Sequence, residues 1–138
     1  MQSPDKWIRK YFATTLSNMV VNDLSVPVYD YRAKNSAPNQ YVLLSTQRKD
    51  ENHNTKCYIG YECEILLDIV TIFQTTGNTG SRLLADDIES EILTRTNNIS
   101  IENFTIISVK KTFPNDLVLT TDTENIFRKF IRFNLKIK

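Results

Sequence analysis

Apolar residues near the start of the chain recur at helical spacing. Trp7, Ile8, Tyr11, Phe12, Leu16, Met19 and Val20 fall on one face, which predicts an amphipathic helix running to about Val21. Ser3-Pro4-Asp5 supplies its start: Ser3 as cap, Pro4 in the first turn, and Asp5 at the positive end of the helix dipole. The pattern then changes. Residues 28–32 and 40–47 read as strands joined by the turn-rich AKNSAPN, and the wholly polar RKDENHNT (48–55) reads as an exposed loop.

The stretch 57–73 alternates with period two. Cys57, Ile59, Tyr61, Cys63, Ile65, Leu67 and Ile69 share one face, and Glu62, Glu64 and Asp68 share the other. GNTG (77–80) breaks that strand, and SRLLADDIESEILTRT returns to helical spacing with Leu84, Ile88 and Ile92 inward and its acids outward. Residues 104–113 form a further strand ended by Pro114-Asn115-Asp116. A short LVLTT piece and a DTEN turn lead to a last strand, 126–138. The order α-β-β-β-α-β-β predicts one α+β domain over 1–138: a largely antiparallel sheet of about five strands with two helices on one face.

The last strand raises the question of nucleic acid, because Arg128, Lys129, Arg132, Lys136 and Lys138 sit in it without an acid. Single-strand binders place aromatic and basic residues on the same face, so that bases stack while phosphates pair. Here Phe127, Ile131, Phe133, Leu135 and Ile137 are odd, and Arg128, Arg132, Lys136 and Lys138 are even, with Lys129 and Phe130 as exceptions. That parity suits a strand with one face in the core.

The totals agree. In 138 residues there are 17 basic and 16 acidic side chains, a net charge of +1, so phosphate contact requires local segregation of charge. A chain of this length buries roughly 68% of its unfolded surface around one core. No stretch reaches the apolar length of a membrane span, and MQSPDKWIRK has no apolar h-region, so the expectation is a protein retained in the cell that makes it.

Reactive chemistry is sparse. The single His53 lies in the polar stretch, where a surface histidine is expected. Cys57 and Cys63 on one strand stand about 20 Å apart, too far to bridge, and with one histidine they make no zinc spacing. Glu62, Glu64 and Asp68 share a face as Mg²⁺ ligands do in nucleases, but no lysine follows to activate water. GNTG lacks the lysine and glycine spacing of a phosphate loop. The expectation is a protein that is not an enzyme and takes no cofactor.

VPVYDYRAKNSAPNQYVLLS after the first helix, the long strand ending ILLDIVTIF, the Gly/Asn turn, the helix LLADDIESEIL and the paired C-terminal strands together resemble the tail-completion or tail-terminator proteins of tailed bacteriophages. The likeness spans nearly the whole chain, which departs from the pattern in its unusually long third and last strands. It implies a structural virion protein with no active site. Such a protein forms a homomeric ring, six- or twelve-fold, between head connector and tail proteins, with genomic DNA passing non-specifically through it and no membrane partner. The alternative is a small nucleic-acid-binding module built on the basic C-terminal strand.

Candidate DNA-channel residues are Arg48, Lys49, Lys56, Lys110, Lys111, Arg128 and Arg132. Candidate subunit contacts are the acids Asp86, Asp87, Glu89 and Glu91 against the basic Lys136 and Lys138. Unlike surfaces of this kind favour head-to-tail contact. Strand length points the same way. Residues 57–73 extended reach about 56 Å and 126–138 about 43 Å, whereas a compact domain of this size is about 37 Å across. The long strands therefore bend, with Gly60 one site, or project.

Overall fold

The computed structural model describes residues 3–55, 58–75 and 81–138. It is α+β: helix α1 (Asp5–Thr15), strands β1 (Met19–Val21), β2 (Leu24–Val26), β3 (Val28–Asp30), β4 (Gln40–Thr55) and β5 (Tyr58–Gln74), helix α2 (Leu83–Arg95), and strands β6 (Ile106–Thr112), β7 (Leu117–Thr120) and β8 (Glu124–Ile137). The described residues hold eight strands, not about five. One six-stranded sheet runs β3-β4-β5-β8-β6, with β7 in line with β6 along the same side of β8. All its pairings are antiparallel except β3 with β4.

Both helices pack on one face of this sheet. Ile8 and Phe12 of α1 and Ala85, Ile88 and Ile92 of α2 join Val42, Leu44, Ile65, Leu67, Ile69, Ile131, Phe133 and Leu135 in a single core. Phe12 meets Phe133 at 4.8 Å between ring centroids. Arg95 of α2 donates to the carbonyls of Thr15 and Ser17, satisfying acceptors at the end of α1 and tying the helices together.

Three expectations need correction. First, α1 stops at Thr15 rather than near Val21, because Asn18 takes a left-handed conformation (φ 54°) and turns the chain. Met19 still reaches the core, but Val20 is exposed and Val21 is buried in its place, because these residues lie in a hairpin with β2 whose turn residues Asn22 and Asp23 both have positive φ, as a two-residue type I′ turn requires. Second, Ser3 does not cap α1; Pro4 occupies the cap position, and Ser3 Oγ instead accepts a hydrogen bond from Lys49 Nζ. Third, 48–55 is not a loop but the second half of β4. It pairs with β5 from Gln47↔Ile65 to Asn52↔Gly60, so its backbone is held by the neighbouring strand despite its polar side chains. GNTG and Cys57 lie outside the described residues.

The long strands are mostly sheathed. β5 pairs with β8 from Gln74↔Glu124 to Tyr61↔Ile137. Only 58–60 of β5 and the β4 residues opposite them continue past β8, as a two-stranded ribbon.

Candidate assembly edge and open sheet face

The face of the sheet away from the helices carries the even positions of β5 and β8. Here the three acids flagged on β5 each have a basic neighbour. Glu62 lies 3.6 Å from Lys136 and Glu64 lies 3.7 Å from Arg48, which also reaches Asp50 at 3.1 Å. Asp68 is fully buried although it points to this face, and Arg128 donates to its Oδ2 from Nε (3.0 Å) and from Nη2. That hydrogen bond outweighs burial and holds the Arg128 guanidinium above its ordinary pKa. Burial, together with the Asp68 charge, pushes the nearby Tyr41 phenol up. Among the described residues no group of three or more His, Cys, Asp or Glu side chains converges as a metal site.

Of the candidate DNA-channel residues, Arg48, Lys110, Arg128 and Arg132 share this open face. Lys136 joins them opposite Glu62. Arg128 is committed to Asp68 and Arg48 to acids, whereas Lys110 and Arg132 have no ion pair among the described residues. A shallow groove of about 280 Å³ crosses the face between Arg48, Glu64, Lys110 and Lys136. Lys49 and Lys111 project to the helix side instead. Lys49 pairs with Asp5 at 2.6 Å, and the Lys111 ammonium lies 5.8 Å from the centre of the Phe133 ring. Lys56 lies outside the described residues.

The acids of α2 have partners within the chain. Lys129, one of the two exceptions to strand parity, lies on the helix side opposite Ile69. It meets Asp86 at 3.1 Å and Glu89 and Asp116 at 3.8 Å. Burial alone would push the Lys129 ammonium down, but these acids leave it raised, and burial raises Glu89. Asp87 accepts from Asn22, and Glu91 from Arg95. Lys138 exchanges two backbone hydrogen bonds with Thr105, closing the end of β8.

The feature that sequence reasoning missed lies at the sheet's margins. β3 covers the outer side of β4 only at 42–44. Beyond it come a register shift between Leu44 and Gln47 and then Arg48, Lys49, Asp50 and Glu51. Irregularity and charge of this kind blunt an edge against unwanted pairing. At the opposite margin β6 has a register shift between Ile106 and Ser108 and the pair Lys110-Lys111, but β7 has neither irregularity nor charge. Ile107, Val109, Phe113, Leu117, Val118 and Leu119 are all exposed there, Phe113 by 54% and Val118 by 49%. In β7 the four residues LVLT are apolar or β-branched on both faces and exposed throughout. The available signal was the run itself, since an unalternating apolar strand is what a strand covered on both faces looks like.

No family model and no curated protein sequence matches the chain. Among solved structures it is similar to a chain described as "Virion of native gene transfer agent (GTA) particle", with a TM-score of 0.47 and 10% identity, covering 97% of this chain and 92% of that chain.

Proposed function

We propose that this chain is a structural virion subunit of bacteriophage type. In this reading it forms a tail-completion or tail-terminator-like homomeric ring, six- or twelve-fold, that joins head connector to tail around the DNA channel. The observation that carries this is the contrast between β4, whose outer side is blunted by a bulge and four consecutive charges, and β7 at the other margin, which is uncharged, apolar on both faces and exposed throughout. A sequence that guards one edge and leaves β7 bare at the other is suited to a subunit whose bare strand is covered in its working state. The resemblance in element order and local strings supports the same reading, and the virion is then its location.

The open sheet face suits weak DNA contact. Five basic residues (Arg48, Lys110, Arg128, Arg132, Lys136) stand against five acids (Asp50, Glu62, Glu64, Asp68, Glu124), and three of the five basic residues are ion-paired. A free subunit with this balance has little to hold a phosphate backbone, whereas a ring repeats Lys110 and Arg132 around a channel. Contact of that kind is sequence-independent and falls steeply with salt, which disfavours the alternative of a dedicated nucleic-acid-binding module.

Electron micrographs of the purified chain across a concentration series test the proposal. Annular particles of uniform copy number with a central opening are expected. A chain that stays monomeric at the highest concentration, and is also absent as a ring from particles of its parent virus, contradicts it.

A further inference from the structure

We infer that copies of this chain join head to tail, the β6/β7 edge of one copy seating on the β1–β2 hairpin of the next. This rests on the reading of the chain as a self-assembling ring subunit and specifies the contact that closes the ring. β7 has the sequence of an interior strand in the position of an edge strand. Among the described residues its outward side has no strand partner, and Leu117, Val118 and Leu119 are exposed on both its faces. The occupant must therefore supply both a strand edge and apolar side chains. β7 carries no basic residue, so a phosphate backbone along this edge would find charge only at Lys110 and Lys111 of β6, whereas an apolar partner matches the whole of β7.

The chain itself carries a match at its other margin. β1 and β2 form a separate two-stranded sheet that no further strand joins among the described residues. Its inner residues Met19, Val21 and Val26 are buried in the core, while Val20 (60% exposed) faces outward opposite Ser25, and Leu24, paired with Val21 on the inner face, is exposed at the rim beside the turn. The hairpin is fixed in place: Gln40 donates to the Ser25 carbonyl at 2.8 Å, and Asn22 donates to Asp87 of α2 at 2.7 Å. Charge is compatible as well, since Asp23 at the hairpin turn and Lys110 on β6 are exposed and neither has an ion pair among the described residues.

These two apolar patches differ in shape and lie toward opposite margins of one sheet. A two-fold contact between like edges would leave the hairpin bare. A head-to-tail contact uses both patches and repeats, and it closes into a ring when the rotation permits.

Two single substitutions on exposed positions test the pairing: Val118→Lys blocks the edge and Val20→Lys blocks the hairpin. Circular dichroism melts confirm that each variant remains folded, and native mass spectrometry reads assembly. Burying an unpaired ammonium weakens association by at least about tenfold, so each variant alone is expected to be monomeric where the wild type assembles. Mixed, the two variants are expected to form one-to-one pairs and nothing larger, because each retains one intact half of the contact. Failure of the mixture to pair, or assembly of Val20→Lys like wild type, overturns the proposed seat while leaving the ring intact. A wild type that forms only dimers shows a two-fold contact and also overturns it. A wild type that never associates overturns the ring reading itself.

Discussion

Asp68 is the side chain whose surroundings most constrain the open face. It is fully buried, Arg128 is its one cationic partner, and its Oδ1 has no hydrogen-bond partner among the described residues. Removing the guanidinium leaves a carboxylate without compensation, which costs about 3 kcal/mol. Arg128→Met is therefore expected to lower the unfolding free energy by about that amount, and adding Asp68→Val is expected to recover most of it, since an apolar pair of similar volume avoids the desolvation cost. Urea titrations of the two variants measure both; an Arg128→Met variant as stable as wild type contradicts the role given to the pair. Cys63 supplies a pH-dependent counterpart. Burial, reinforced by the Asp5 charge, pushes its thiol up to about 12. A folded pKa above the unfolded value of about 8.5 gives stability that is present below that pH and is lost as pH rises toward the folded value. The urea midpoint is expected to fall above about pH 8.5, with Tyr11 and Tyr41, also raised by burial, adding to the fall above about pH 10. Cys63→Ala is expected to start lower and fall less steeply between pH 8.5 and 10.5; equal slopes contradict the assignment.

Elements with a long, unbroken period were legible in the sequence. The alternation of β5 and the parity of β8 placed Ile65, Leu67, Ile131 and Phe133 in the core correctly, and the spacing of Ile88 and Ile92 placed α2. What was not legible depended on partners distant in sequence. Met19 and Val20 continue the helical period of α1, so the competing turn signal at Asn22-Asp23 was masked; Met19 is buried as a helix would have buried it, but the strand buries Val21 and exposes Val20, the reverse of the helical expectation. The polar stretch 48–55 has no periodicity of its own and becomes a strand only because β5 lies beside it. Lys129 broke the parity of β8 because it answers Asp86, Glu89 and Asp116 across the helix–sheet junction, a contact that no local pattern encodes. The ion partners of Glu62 and Glu64 were legible only as a class, acids paired across a sheet, since register decides which lysine or arginine stands opposite.

Across the subunit, net charge near zero and a mixed open face leave assembly to the sheet margins. Those margins were the least visible feature of the sequence, because strand order is set by long-range pairing: LVLT at 117–120 reads as an interior strand until β8 is seen to have β5 on one side and β6 and β7 on the other. If the β6/β7 edge is covered by another copy, its outward amides exchange slowly in the assembly and fast in the free subunit. Hydrogen exchange of the wild-type chain, compared between dilute and concentrated solution, reads this peptide by peptide. The expected result is protection gained on concentration in the peptides spanning β6, β7 and the β1–β2 hairpin, with the charged outer half of β4 unchanged. Exchange in β7 that is fast and independent of concentration, or protection gained along β4 instead, contradicts the account.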